Sequence, residues 1–178
     1  MNPVEIESCL NSMIILVDTR EQPSKRSAQR LESLGIPYRR QTLKYGDYTY
    51  SFTFPDGHEL FAPGVTADGD AVVERKMNLE ELSGCFCQSR DRFSREFFRA
   101  KDKKASTYLL IEDGNWEKII NGRYKTKFNS KSFFASATAW MARYGTHIIF
   151  CQHELSGKMI KEVLYRELKE RLENGFYG

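Results

Sequence analysis

"GDYTYSFTFPDGHELFAPGVTADGDAVVERK" occupies Gly46 to Lys76. It ends on Val72 and Val73, which a sheet would bury on its two faces, and then at once on Glu74, Arg75 and Lys76. Residues two apart on a strand share a face and lie about 6.5 Å apart along it. Glu74 and Lys76 therefore point together on the face of Val72, while Arg75 points away on the face of Val73. Charges at the border of a core are costly unless they are paired or hold a metal.

The same pattern closes an earlier segment. Met13 to Val17 is a continuous apolar run that reads as a buried strand, and it ends on Asp18-Thr19-Arg20-Glu21. Asp47 follows Gly46 at the start of a further predicted strand. Three carboxylates thus stand at strand ends, with a lysine two residues after one of them. Phosphodiester hydrolysis needs carboxylates that hold a divalent cation, which activates water and neutralises charge on the phosphate. Hard oxygen ligands select Mg²⁺ or Mn²⁺ over zinc. A lysine beside them can orient the water or stabilise the pentavalent phosphate. By themselves the same residues have a plainer reading, an ion pair on a solvated strand end.

Working outward, Pro23 to Leu34 reads as a helix stopped by Gly35, and Tyr38 to Leu43 and Asp47 to Phe54 as strands. Phe54 to His58 is a turn that returns through Glu59 to Phe61 as a hairpin, Pro63 to Gly69 is loop, and Asp70 to Lys76 is the next strand. Helices are predicted over Asn78 to Phe86 and Arg92 to Lys103, with a kink or short loop at Cys87 to Arg90. A strand over Thr107 to Ile111 and a short helix over Trp116 to Ile120 follow. Ser130 to Tyr144 carries Phe133, Ala137, Trp140, Met141 and Tyr144 on one helical stripe. His147 to Cys151 reads as a last strand, and Leu155 to Leu172 as a helix with Ile160, Leu164, Leu168 and Leu172 on its apolar stripe. Strands alternating with helices predict an α/β fold, a central mixed sheet with helices on both faces.

Composition agrees with one packed domain over residues 1–178. The chain is 40% apolar and 29% charged, with 12 Phe and 9 Tyr, which excludes a disordered chain. The Met13–Val17 run is too short to span a membrane, and Glu5 and Glu7 stand where a signal peptide would be basic. An intracellular, cytoplasmic protein is expected. No Cys-x-x-Cys pair occurs among the four cysteines, and the three histidines lack zinc spacing, so the thiols read as reduced packing residues. A net charge of +3 names no partner, but its distribution is suggestive. Arg90 to Lys104 holds seven basic and three acidic residues, and Arg92, Arg95, Arg99 and Lys103 recur at helical spacing beside an apolar stripe of Phe93, Phe97 and Ala100. "RYKTKFNSK", 123–131, has four basic residues and no acid, with Tyr124 and Phe128 interleaved. Basic residues bind phosphates and aromatics stack on exposed bases. Arg90, Arg92, Arg95, Arg99, Lys125 and Lys127 are the candidate DNA-binding residues, and a solvated charged face is the plainer reading of both segments.

Val17-Asp18-Thr19-Arg20-Glu21, Gly46-Asp47-Tyr48 and Val73-Glu74-Arg75-Lys76, in this order, closely resemble the signature of the XPF/MUS-type (ERCC4-domain) nucleases. The resemblance runs from Ile15 to about Ala100, with "YLLIED" (108–113) as the strand that follows. It implies a restriction-endonuclease-like three-layer core, with a motif core of about 13–113 completed by 130–172. It also implies a Mg²⁺- or Mn²⁺-dependent endonuclease for branched, flapped or otherwise structured DNA, in repair, recombination or phage DNA processing. Asp18, Asp47 and Glu74 match the family's metal-binding acids and Lys76 its catalytic lysine. Arg20, Glu21 and Arg75 fall on motif positions as active-site support or phosphate contacts. Glu80 stands where the family has Asp, and the family's Gly-Arg before the next helix is met by either Ser89-Arg90 or Asp91-Arg92. No paired helix-hairpin-helix module follows Leu172, so a stand-alone bacterial or phage nuclease domain is expected, with a homodimer left open. A non-catalytic DNA-binding or scaffold relative and a restriction-type or exonucleolytic enzyme are the rival readings.

Overall fold

A computed structural model describes residues 1–177. Six strands form one sheet in the order β2-β1-β3-β4-β5-β6. They are β1 Ile14–Asp18, β2 Tyr38–Gln41, β3 Tyr48–Ser51, β4 Ala71–Lys76, β5 Ser106–Glu112 and β6 His147–Cys151. Only β3 runs antiparallel to its neighbours. The carboxyl ends of β1, β4 and β5 and the amino end of β3 therefore meet at one edge of the sheet. Open, mostly parallel sheets place their ligand sites outside such an edge.

Side-chain alternation along the strands divides the core in two. Ile15, Val17, Val73 and Leu110 pack against α1 (Pro3–Asn11), α2 (Lys25–Ser33) and α7 (Ser156–Glu173). On the other face Leu109 and Ile111 pack against α3 (Leu79–Cys87), α4 (Arg90–Asp102) and α6 (Ser130–Tyr144), around the buried Trp140. A short α5 (Trp116–Ile120) and a 3-10 turn (His153–Leu155) complete the elements. The result is the expected three-layer α/β arrangement. Among the described residues no helix is long and apolar enough to cross a membrane, and all four cysteines are unpaired.

Local chemistry explains the differences from the sequence reading. Helix α1 was not anticipated; Asn2 and Glu5 form a reciprocal cap around Pro3 at its start. Helix α2 begins at Lys25 rather than Pro23, because Ser24 caps it by accepting from the Ser27 N–H. The hairpin after β3 is reduced to a single bridge between Thr53 and Glu59, and β2 stops at Gln41, leaving Leu43 one bridge to Ala67.

Two glycines set close approaches. Gly46 has φ +73°, and a Cβ there would lie 3.0 Å from Val72 Cβ; glycine both adopts this conformation and lets the turn lie against β4. At Gly157 a Cβ would fall 2.2 Å from the Arg30 carbonyl oxygen, so α7 can press on α2 at the turn that carries Arg30.

Arg30 is buried and threads its guanidinium through the sheet edge. It donates to Tyr48 Oη at 2.8 Å, to Glu112 Oε1 at 3.1 Å and to Glu21. Removing one partner of such a network strands the others as buried charges, at about 3–5 kcal/mol. Arg30→Ala should lower the free energy of unfolding in urea by that order, and a change below about 1 kcal/mol would mean that the carboxylates rehydrate without it.

Candidate active site

The edge where the strand ends meet is a polar cleft of about 410 Å³, lined by Arg20, Glu21, Asp47, Glu74, Arg75, Lys76, Arg92 and Glu96 among others. Asp47 is brought there by backbone pairing: its N–H donates to the Val73 carbonyl at 2.9 Å, and its own carbonyl accepts from the Asp18 N–H at 2.8 Å. Its carboxylate Oδ2 accepts the Arg75 main-chain N–H at 2.8 Å. Strand pleating then sorts the charges of β4. Glu74 and Lys76 lie on the α4 side and hydrogen-bond each other, with Lys76 Nζ 5.1 Å from the centre of the Phe93 ring. Arg75 lies on the α2 side, where its guanidinium is held loosely, 3.5 Å from Glu112 and 3.8 Å from Glu21.

Asp18 is placed differently from the expectation that it joins the metal-binding acids. It is fully buried. Its Oδ1 accepts from the Arg20 main chain at 2.7 Å and from Arg20 Nε at 3.0 Å, while its Oδ2 accepts from Arg20 Nη2 at 2.9 Å and the Leu43 N–H at 3.2 Å. Four donors occupy both oxygens, and Arg20 stands between them and the cleft. Asp18 aims Arg20, whose Nη1 reaches Glu96 on α4 at 3.4 Å. The Arg20 pKa is raised above its ordinary value, chiefly by the hydrogen bond to Asp18.

The electrostatics of the remaining acids suit a cation. Burial, and then the neighbouring Glu74, push the Asp47 carboxyl well above the ordinary range. Burial also raises Glu74; Lys76 opposes that shift, while Glu96 and Glu81 add to it. Burial works to lower the Lys76 pKa, but Glu74 and Asp47 outweigh it and hold the ammonium above its usual value. Hard oxygen donors crowded enough to resist ionisation are a donor set that a divalent cation relieves.

Of the proposed DNA contacts, Arg92 lines the cleft, and Arg95 and Arg99 are exposed on α4. Arg92 rather than Arg90 therefore stands toward the site. Arg90 lies over Trp140 at 5.1 Å and donates to the Phe86 carbonyl and Ser136. Lys125 and Lys127 are exposed, but the aromatics that flank them are not free for bases. Tyr124 and Phe128 pack on Phe133, with centroids 5.1 and 5.4 Å apart. Glu80, the departure from the family pattern, accepts the Lys125 N–H at 2.8 Å and so ties this segment to α3.

Two residues of this edge escaped the sequence reading. Glu96 lies inside the basic stripe, and its i, i+4 relation to Arg92 was the available signal. Glu112 is fully buried, with Arg30, Arg26 and Arg75 around it. Farther along, Asp113, His153 and Glu154 bring donor atoms within 4.8 Å of one another, though Asp113 is also paired with Arg26 at 2.6 Å.

A family model for the ERCC4 domain matches residues 17–163. Among solved structures the fold is similar to XPF from Aeropyrum pernix, at a TM-score of 0.58 and 20% identity, covering 86% of this chain and 61% of that one. The same protein in complex with DNA matches at 0.58 and 20%, covering 88% and 65%. The chain thus spans less than two thirds of either solved structure. No curated protein matches it.

Protonation of Asp47 has a measurable consequence. A carboxyl raised in the folded state stabilises the fold below its unfolded-state pKa, and that contribution is lost as pH rises through the folded value. Metal-free Asp47→Asn should therefore melt above wild type at neutral pH, with the difference closing as pH falls below about 4. Thermal melts in chelator across this range test it; a wild type more stable than the variant throughout would mean that Asp47 is held ionised.

Proposed function

Because the chain belongs to the ERCC4 domain family, we propose that it is a metal-dependent DNA endonuclease acting on branched, flapped or otherwise structured DNA. The observation that carries this reading is the convergence of Asp47, Glu74 and Lys76 on one polar cleft at the carboxyl edge of the sheet. Asp47 and Glu74 would hold the cation, Mg²⁺ or Mn²⁺. When bound, it neutralises phosphate charge and lowers the pKa of its water.

The chain's own residues supply the rest. Lys76 is largely buried and fixed between Glu74 and the Phe93 ring. Its ammonium can donate to the attacking water or to a non-bridging phosphate oxygen, where negative charge grows. Arg75 acts twice: its main-chain N–H orients Asp47, and its loosely held guanidinium has donors to offer a phosphate. Glu21 accepts from Tyr48 and Arg30 and so supports Arg75 from behind. Arg20, half exposed and aimed by Asp18, and Arg92 flank the cleft on opposite sides. Arg95 and Arg99 extend the cationic surface along α4, and Lys125 and Lys127 are a second contact. These elements hold the backbone of DNA and leave its bases unread.

Glu74→Gln should abolish Mg²⁺-dependent cleavage of end-labelled DNA while the protein remains folded. Lys76→Ala should lose most activity, of order 10²–10³-fold, yet bind Mn²⁺ as wild type does in calorimetry. Near-normal cleavage by Glu74→Gln would sink the site, and collapse of Mn²⁺ binding in Lys76→Ala would reduce the lysine to a prop for Glu74. Branched, flapped and linear substrates compared in one assay decide the cutting mode.

Binding should weaken steeply with salt, because phosphate contacts release counterions. On catalytically dead protein, Arg95→Ala with Arg99→Ala should flatten the log–log salt slope by about one per residue and weaken all sequences alike. Lys125→Ala with Lys127→Ala should do the same. An unchanged slope in both double variants places the DNA path elsewhere.

A further inference from the structure

With Asp18 turned inward, the cleft contains the metal-facing acids Asp47 and Glu74 and three further carboxylates, Glu21, Glu81 and Glu96. The three differ in what else they do, and Glu21 spends both of its oxygens on Arg30 and Tyr48. Glu81 is exposed in the first turn of α3, and its Oε2 accepts the Met77 N–H at 2.6 Å, closing that turn. Glu96 has one partner, Arg20 Nη1, at 3.4 Å, while Arg20 commits Nε and Nη2 to Asp18 at 3.0 and 2.9 Å. Glu96 is nonetheless mostly buried, with 16% of its side chain exposed. It therefore faces the cleft with lone pairs unspent.

Its placement is rigid. Phe93, Phe97 and Ala100 seat α4 in the core, and Phe93 lies beneath the Lys76 ammonium. Residues three and four apart on a helix are neighbours on its surface. Glu96 thus stands one turn from Phe93 and on the face of Arg92, next to Glu74 and Lys76. Glu74 and Glu96 line together the main cleft and both depressions that adjoin it. A third carboxylate held close to two others, its one counter-ion an arginine at 3.4 Å that is already committed to Asp18, is an arrangement that a divalent cation stabilises.

We infer that Glu96, carried by α4, is the third carboxylate of the cation site, in the place that the strand-end pattern assigned to Asp18. This rests on the reading of the cleft as a metal site. It makes the cation a bridge between the sheet edge and the helix that bears the basic stripe, so that occupancy of the site fixes where Arg92, Arg95 and Arg99 present themselves to a phosphate backbone. Arg20 is then the cation's stand-in, neutralising Glu96 until the metal does.

Mn²⁺ titrated calorimetrically into DNA-free protein tests this without reference to activity. Glu96→Gln preserves volume on a helix seated by other residues, and it should weaken Mn²⁺ binding about tenfold or more. Arg20→Gln should leave Mn²⁺ affinity unchanged or tighter, because it removes a competing cation. Wild-type affinity in Glu96→Gln, with binding lost in Asp47→Asn and Glu74→Gln, overturns the role of Glu96 and leaves the site standing. An equal loss in Arg20→Gln also overturns it, since Glu96 would then act only as an anchor for that arginine. Wild-type affinity in Asp47→Asn would instead overturn the metal site itself.

Discussion

Glu112 ends β5 without any exposed surface, and three guanidinium groups converge on it: Arg30 at 3.1 Å, Arg26 at 3.2 Å and Arg75 at 3.5 Å. A carboxylate in that position is tolerable only because it is paired and hydrogen-bonded, and each arginine is tolerable for the same reason. The cluster joins α2, β4 and β5, and through Glu21 and Tyr48 it also joins the loop after β1 and the start of β3. Four of the segments that shape the cleft are thus referenced to one buried anion. The charges facing the cleft are positioned by charges behind it.

The two faces of β4 show how this works. Odd-numbered Arg75 is drawn into the buried network on the α2 side, and even-numbered Glu74 and Lys76 open toward α4. The Arg75 main chain links the two, since its N–H carries the Asp47 carboxylate. A single strand end therefore supplies one acid, one ammonium and the hydrogen bond that orients a second acid. Gly46 is the companion requirement, because only a residue without Cβ lets Asp47 arrive from β3 so close to Val72.

Helix α4 is the other wall. Its aromatic side is locked around Trp140, where Phe93 stacks at 5.6 Å and Phe97 packs edge-on at 6.4 Å. Its polar side carries both signs of charge toward the cleft, Arg92 and Glu96. A wall built on a packed helix holds its charges more precisely than a loop can, and the salt bridge from Arg20 to Glu96 spans the opening from the opposite side.

Much of this was legible in the residues alone. Alternation and helical stripes reveal β1, β4, α6 and α7, because burial imposes a period on the side chains that face the core. The opposite orientation of Arg75 and Glu74 follows from the pleat. The ordered motifs at 17–21, 46–48 and 73–76 located the edge of the sheet where chemistry can occur. Tertiary structure decided which charges face the cleft. Asp18 looks equivalent to Asp47 as a strand-end acid, yet Arg20 and the Leu43 N–H take all its acceptors. Glu96 looks like one charge on a solvated helix, yet α4 swings it to the acids. Tyr124 and Phe128 look like base-stacking groups among basic residues, yet Phe133 claims them. Strand and helix periods are local, so a sequence carries them; hydrogen-bond partners and the direction of a charge depend on residues tens of positions away, which only the folded chain brings together.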